Sequence, residues 1–365
     1  MPPPHSGVEL VAKLFEFLKE WGIEKKVFSL TLDNASSNDN MQDILKEQLS
    51  LHNSLLCDGE FFHIRCSAHI LNLIVQEGLK VATASLNKIR ESVKYVKDSE
   101  SRMKKFEECV VAIGGIDTSI SLRLDVSIRW NSTYLMLESA IKYKKEGEKI
   151  CEFLEPFYDT TNLISGSSYP TSNMYFMQVW KIDVLLKENL FNEDVVVGDM
   201  CKMMKEKLDK YWSQYSTVLA FGTILDPRIK LSMFFEFFPL LIDPLKCQEK
   251  MSLVKRKLYK LFEQYTSQTI TNAGKSYLDL YLEEPKLEFA YYEDLDVLGY
   301  WMSNKHRYPT LAVTCDVLAI HITTVASEST FSIGARVLTK YRSCTLPENV
   351  QALICTRLVT WLCEW

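Results

Sequence analysis

At 365 residues, with 47% hydrophobic and 24% charged side chains, the chain has the make-up of a folded globular protein with room for two or three domains. Its net charge of −5 excludes a chain-wide attraction to nucleic acid and leaves only local surfaces for that role. Two segments depart from this average: residues 80–109 carry eight bases and five acids, whereas residues 275–300 carry seven acids against Lys275 and Lys286. Ten cysteines include no Cys-x-x-Cys pair, which points to reduced thiols rather than a disulfide scaffold. The longest apolar stretch, Met233 to Ile242, is cut by Glu236 and Pro239 and is too short to cross a bilayer, so no membrane partner is expected.

In chain order, Ser6 and Glu9 form a capping box for a first helix. Its apolar stripe is Leu10, Leu14, Phe17 and Leu18, and Gly22 stands where a C-cap belongs. Val27 to Leu32 reads as a buried strand ending at Asp33; a polar turn, Asn34 to Asn38, leads into a helix over about 39–51. A second strand, Phe61 to Arg65, runs straight into a helix over Cys66 to Leu79. This is an α/β unit whose ligand edge lies at the strand C-termini. Two strands make no stable sheet alone, so the reading favoured here is a chain that starts partway into a domain.

Beyond Leu79 the pattern turns helical, over about 83–110, 130–160, 172–190, 198–218 and 249–268, with Pro156, Pro170, Pro227 and Pro244 as punctuation. Residues 269–290 read as a polar connector, followed by helical stretches at Leu295 to Asn304 and Leu311 to Ile320. The last helix opens on a capping box at Thr345 and Glu348 and carries Val350, Leu353, Ile354, Leu358, Trp361 and Leu362 on one side, a face suited to self-association.

Several constellations have both a chemical and a plain structural reading. Asp33 at a strand end is where α/β proteins place catalytic acids, but an Asp in Asp-Asn-Ala-Ser-Ser serves equally well as a turn former. Glu328 is the one charge in Ile322 to Ile333; it either takes a metal or bonds the amides of its own helix start after Ser327. His63, Cys66 and His69 have the donor types of a zinc site without a clear fourth ligand. Arg129 and Trp130 offer a phosphate contact and a stacking ring, or else a solvated cation and a core anchor. Asp39, Asp125 and Asp226 are the acids that would have to complete a metal site if one existed.

Five segments in order, LDNASSN (32–38), RCSAHILNL (65–73), RWNSTYLML (129–137), LDPRIK (225–230) and VASESTFS (325–332), resemble the hAT superfamily of DNA transposases, above all its domesticated plant zinc finger BED group of the Ricesleeper/Daysleeper type. The tail from Leu338 to Arg357 resembles the family's C-terminal dimerisation region, and the likeness spans nearly the whole chain. It implies a predominantly helical α/β fold: a partial RNase H-like core over 1–145, a helical insertion over 146–270, and a dimerisation region with the last core helix over 271–365. Ser127-Ile128 departs from the Pro-Thr that the family usually has before Arg-Trp.

By that resemblance, Asp33 and Glu328 match the second and third acids of a metal-binding triad, Cys66 and His69 match a pair beside it, and Trp130 with Arg129 matches a base-stacking element. Leu353, Ile354, Leu358, Trp361 and Leu362 would lie in the dimer contact. The first acid and the BED finger would precede Met1, so the expectation is a nuclear protein that binds DNA and forms a homodimer or pairs with a related hAT-like protein. It would have no transposase activity, no cofactor and no small-molecule substrate. The alternatives are a transposase or nuclease using Mg²⁺ or Mn²⁺ through Asp33 and Glu328, and a gene remnant without a role.

Overall fold

A computed structural model describes residues 7–52, 55–113, 121–143, 147–166, 168–212, 217–241, 244–265, 275–309 (apart from 289, 291 and 293) and 312–325. The Glu328 segment and the last helix with Leu353, Ile354, Leu358, Trp361 and Leu362 therefore lie outside the described residues.

The N-terminal unit follows the sequence pattern in element order, but the strands are only Leu30–Leu32, half-buried, and His63–Arg65, and the second helix begins at Ser36 inside the expected turn. Helix α1 (Gly7–Glu20) packs on α2 (Ser36–Leu51), and a small core of Val11, Met41, Leu45, Leu49 and Phe62 forms between them. Phe17 is not part of that core: it is 45% exposed and stacks on Trp21, while Val11 and Leu18 are buried instead. Gly22 has φ of 63°, the left-handed geometry that ends a helix cheaply only with glycine. Strands β1 (Leu30–Leu32) and β2 (His63–Arg65) pair in parallel, with Leu30, Thr31 and Leu32 opposite His63, Ile64 and Arg65. Among the described residues they form a two-stranded sheet.

Helix α3 (Ser67–Leu79) leaves β2 directly and is the hub of the molecule, lying against α9 (Val195–Trp212), α7 (Glu148–Ile164) and α6 (Trp130–Ile141). Its approach to α9 is close, because a Cβ on Gly78 would stand 2.6 Å from Met204. The expected helix over 83–110 is two, α4 (Thr83–Lys97) and α5 (Glu100–Ile113), and that over 130–160 is α6 and α7. Gly147, at φ of 100°, starts α7 in a conformation β-carbon residues resist. Pro156 sits inside α7 rather than ending it.

The main core continues through α8 (Tyr175–Asn189), the short buried α10 (Thr217–Ile224), α11 (Lys230–Leu241) and α12 (Pro244–Tyr265). Phe176, Trp212, Phe234 and Phe238 interlock there, which is the core reading of the aromatic-rich segment. The expected connector over 269–290 contains a helix, α13 (Tyr277–Glu283), closed by a capping box between Ser276 and Asp279. Helices α14 (Val297–Ser303) and α15 (Ala312–Leu318) complete the described chain, and no described helix is long and apolar enough to cross a membrane.

The LDPRIK segment is a buried knot. Asp226 accepts from Arg228 (Nε to Oδ1 3.0 Å, Nη2 to Oδ2 2.7 Å) and from Asn173 Nδ2 at 2.9 Å. Around it Tyr281 and Trp301 donate to the carbonyls of Ile224 and Leu225, and Leu287 donates to that of Pro227. The motif therefore ties the segment carrying α13 and α14 onto the central helices.

Candidate functional site at the strand ends

Parallel pairing puts the C-terminal ends of β1 and β2 at one edge, so Asp33 and Cys66, each following its strand, are neighbours. The Cys66 amide donates to the Leu32 carbonyl at 2.7 Å and extends the ladder by one step. Asp33 Oδ1 accepts from the Ala35 amide at 3.0 Å and from Asn38 Nδ2 at 2.6 Å, so the acid also closes the turn into α2. Arg65 adds a cation to this edge, donating to Asn34 Oδ1 at 3.1 Å and standing 3.4 Å from Asp39.

A third chain segment arrives from far downstream. Thr31 Oγ1 donates to the His321 carbonyl at 2.7 Å, and the Ser67 amide donates to that of Ile322 at 2.8 Å. The Ile322 amide reaches Thr171 Oγ1 at 3.2 Å, and the Thr324 amide and hydroxyl both donate to Cys66 Sγ at 3.3 Å. Residues 321–324 are thus strapped to the strand ends just before the chain enters the stretch that holds Glu328.

From Cys66 a line of polar residues at three- and four-residue spacing, His69, Asn72 and Gln76, follows α3. Asn72 Oδ1 accepts the Trp130 amide at 3.2 Å, and Gln76 donates to the Ser127 carbonyl at 3.1 Å. The Arg129–Trp130 corner is thereby connected to the helix that starts at Cys66. Arg129 is exposed, whereas the Trp130 ring is 2% exposed and packed in the main core, so it has the place of an anchor and would have to leave the core to meet a base. Asn72, Thr31 and Thr324 were not singled out from sequence; the Asn in HILNL, three residues past His69, was the available signal for the first of them.

His63 is half-buried with its Nε2 unpartnered, and its pKa is lowered by burial and by the nearby Arg65, against the opposing pull of Asp39 and Asp43. Among the described residues no group of three or more His, Cys, Asp or Glu side chains is placed to hold a metal ion. The acids proposed from sequence as substitutes are committed elsewhere. Asp125 takes two hydrogen bonds from Arg90, at 2.7 and 2.6 Å, and one from Thr133 at 2.9 Å. Burial pushes its carboxyl up, but these donors outweigh it and hold the pKa below the usual range. Asp226 is held in the Arg228 knot, and Asp39 faces Arg65.

Family models match along the chain in series. A ZBED1 RNase-like domain matches residues 1–61, a ZBED1 RNase-like helical domain 64–169, a hAT-like transposase with RNase-H fold 173–265, and the hAT family C-terminal dimerisation region 277–359. The class is that of RNase H-like, transposase-derived proteins. The chain is 33% identical over 414 residues to a putative AC transposase of Zea mays, covering 97% of this chain and 51% of that protein. It is 32% identical to the zinc finger BED domain-containing protein RICESLEEPER 2 of Oryza sativa subsp. japonica, covering 98% of this chain and 59% of that one. To DAYSLEEPER of Arabidopsis thaliana it is 30% identical, covering 99% and 58% respectively. The chain belongs to the hAT transposase-like family, and it spans between half and three fifths of the length of these relatives.

Proposed function

We propose that the chain is a domesticated hAT-type nuclear protein that binds DNA, associates with itself or a related hAT-like chain, and does not cleave DNA by itself. The observation that carries this reading is the strand-end arrangement: the family's α/β edge is kept, but its described carboxylates serve structure. Cleavage through two divalent ions requires several carboxylates converging on them. Here Asp33 closes a turn, Asp39 faces Arg65, and Asp125 and Asp226 lie in buried ion pairs. The described residues do not by themselves make a seat for Mg²⁺ or Mn²⁺.

Self-association is supported by the match to the dimerisation region over 277–359, whose described part is fastened to the core through the Asp226–Arg228 knot. DNA binding is supported by the family and by local cationic surface on an otherwise acidic chain. Sedimentation with and without a fluorescent duplex tests both parts. A dimer at micromolar concentration that carries the duplex with it is expected; a monomer that leaves the duplex free overturns the proposal.

A second reading, a transposase that uses Mg²⁺ or Mn²⁺, draws on one observation. Thr324, bonded to Cys66, lies only four residues before Glu328, a reach of at most about 14 Å of extended chain. Incubating end-labelled duplex with the pure chain and Mn²⁺ decides between the two: intact strands favour the first reading, a Glu328-dependent product the second.

A further inference from the structure

We propose that the exposed face of α12 is a seat for the DNA phosphate backbone, at the edge of the sheet opposite Asp33. The inference rests on the reading that the chain binds DNA, and it names the surface that does so. A groove between α12 and the turn before β2 is lined by four cations, Lys255, Arg256, Lys257 and Lys260, against two acids, Glu60 and Glu263. Glu60 is shared, with Lys257 at 2.7 Å and Lys260 at 3.3 Å. Lys255 and Arg256 are exposed; Lys255 stands 5.9 Å from the Tyr259 ring and near enough to Asp279, which Tyr259 hydrogen-bonds, to be attracted by it, but neither cation makes a direct ion pair among the described residues.

The location follows from the topology. Glu60 precedes β2 and Asp33 follows β1; because the strands are parallel, the groove and Asp33 occupy opposite ends of the sheet. The α12 end is held against the turn by Cys57, whose amide donates to Gln264 Oε1 at 2.6 Å. The exposed Lys25 and Lys26, in the turn before β1, add positive charge at the same edge.

Charge and spacing favour a nucleic-acid backbone. From Lys255 to Lys260 the helix rises about 7.5 Å, close to the length of duplex axis, at about 3.4 Å per phosphate, that two phosphates of one strand occupy. The exposed Ser252 hydroxyl, one turn before Arg256, is a further donor to phosphate. The lysine-rich α4 and α5 compete less well, since several of their cations are committed. Arg90 is held by Asp125, Lys97 by the Leu122 carbonyl, and Arg102 stacks over Tyr95.

The test is anisotropy of a labelled duplex titrated with the full chain over a salt series, in wild type, Lys255→Glu/Arg256→Glu, Lys255→Gln/Arg256→Gln, and Lys104→Glu/Lys105→Glu on α5 as the control. All substituted side chains are exposed, and circular dichroism checks that each variant folds. Losing two phosphate contacts should lower the slope of log affinity against log salt by about 1.8. Affinity at low salt should fall tenfold or more in the Glu pair and less in the Gln pair, with the control near wild type. Wild-type binding with unchanged slope in both α12 pairs overturns the α12 seat and leaves DNA binding standing. No duplex binding by wild type overturns both. An acidic polypeptide that binds α12 while duplex affinity stays unaffected by the Glu pair also overturns it.

Discussion

Thr324 gives both its amide and its hydroxyl to the sulfur of Cys66, at 3.3 Å each, although the two stand 258 positions apart in the chain. Cys66 follows β2 and is 1% exposed while Thr324 is half-buried, so the pair fixes the downstream segment against the strand ends through a sulfur that is itself shielded from solvent. Cys66→Ala should destabilise the fold by about 1 kcal/mol, the net worth of hydrogen bonds from a half-buried donor residue. Hydrogen exchange should rise selectively over 321–325, and Cys66→Ser, which keeps an acceptor, should recover most of the protection. Uniform exchange in Cys66→Ala would show that the latch has no local role.

Lys230 makes stability pH-dependent. It is 2% exposed, sits at φ of 53°, and donates to the carbonyls of Tyr281 (2.8 Å) and Glu284 (3.1 Å). Burial pushes its pKa down to about 8, opposed by Glu284 and assisted by Arg307. A base whose folded pKa is depressed holds fewer protons folded than unfolded between that value and the ordinary 10.5, so stability rises with pH over that window. From pH 8 to 10 the gain should be on the order of 2 kcal/mol, and Lys230→Met should abolish it. Buried thiols such as Cys151, pushed up to about 12, and Cys201, to about 11, act in the opposite direction from about pH 9, and buried tyrosines such as Tyr281 from about pH 10, so the Lys230 contribution is read as the difference between wild type and Lys230→Met. A stability difference between the two proteins that stays constant in urea unfolding across pH 8–10 would refute the assignment.

Asp125 tests whether a candidate catalytic acid is structural. Its side chain is 1% exposed and paired with Arg90 at 2.6 Å. Asp125→Asn should cost roughly 3 kcal/mol, the low end for breaking a buried pair because Arg90 reaches solvent. DNA affinity of the folded variant should be unchanged. A stable variant with lost DNA binding would move Asp125 into the functional surface.

Gly222 reports on how α10 seats against the Ser172 turn. A Cβ there would stand 2.8 Å from the Ser172 carbonyl carbon and 2.9 Å from its oxygen, backbone atoms that cannot swing aside. Gly222→Ala should therefore cost about 1–3 kcal/mol, despite the roughly 1 kcal/mol that alanine adds in a helix. Thermal unfolding that shifts upward would contradict this packing.

The existence and order of the two strands were legible because apolar runs ending in polar turns mark them, although β1 is half-buried rather than buried, and Asp33 beside Cys66 follows once the two strands are parallel. The break between α4 and α5 was not, since Asp98-Ser99 carries neither glycine nor proline to announce it. Helix α13 was hidden by the acidic composition around it, although Ser276 and Asp279 have the spacing of a capping box. Cys57, Asp58 and Gly59 all take left-handed φ (51°, 56° and 69°); Asp-Gly is a turn signal that tolerates this, but nothing in Cys57 points to it. The Thr324–Cys66 and Asp125–Arg90 pairs depend on tertiary contacts that no local pattern encodes. The Asp226–Arg228 clamp, two residues apart, was within reach of sequence.

The most direct test of the central claim is a denaturing gel of end-labelled duplex incubated with the pure chain and Mn²⁺, beside Asp33→Ala and Glu328→Ala. The account predicts intact strands in all three lanes under conditions where the duplex is bound. A cleavage product made by wild type and lost in both variants would contradict it.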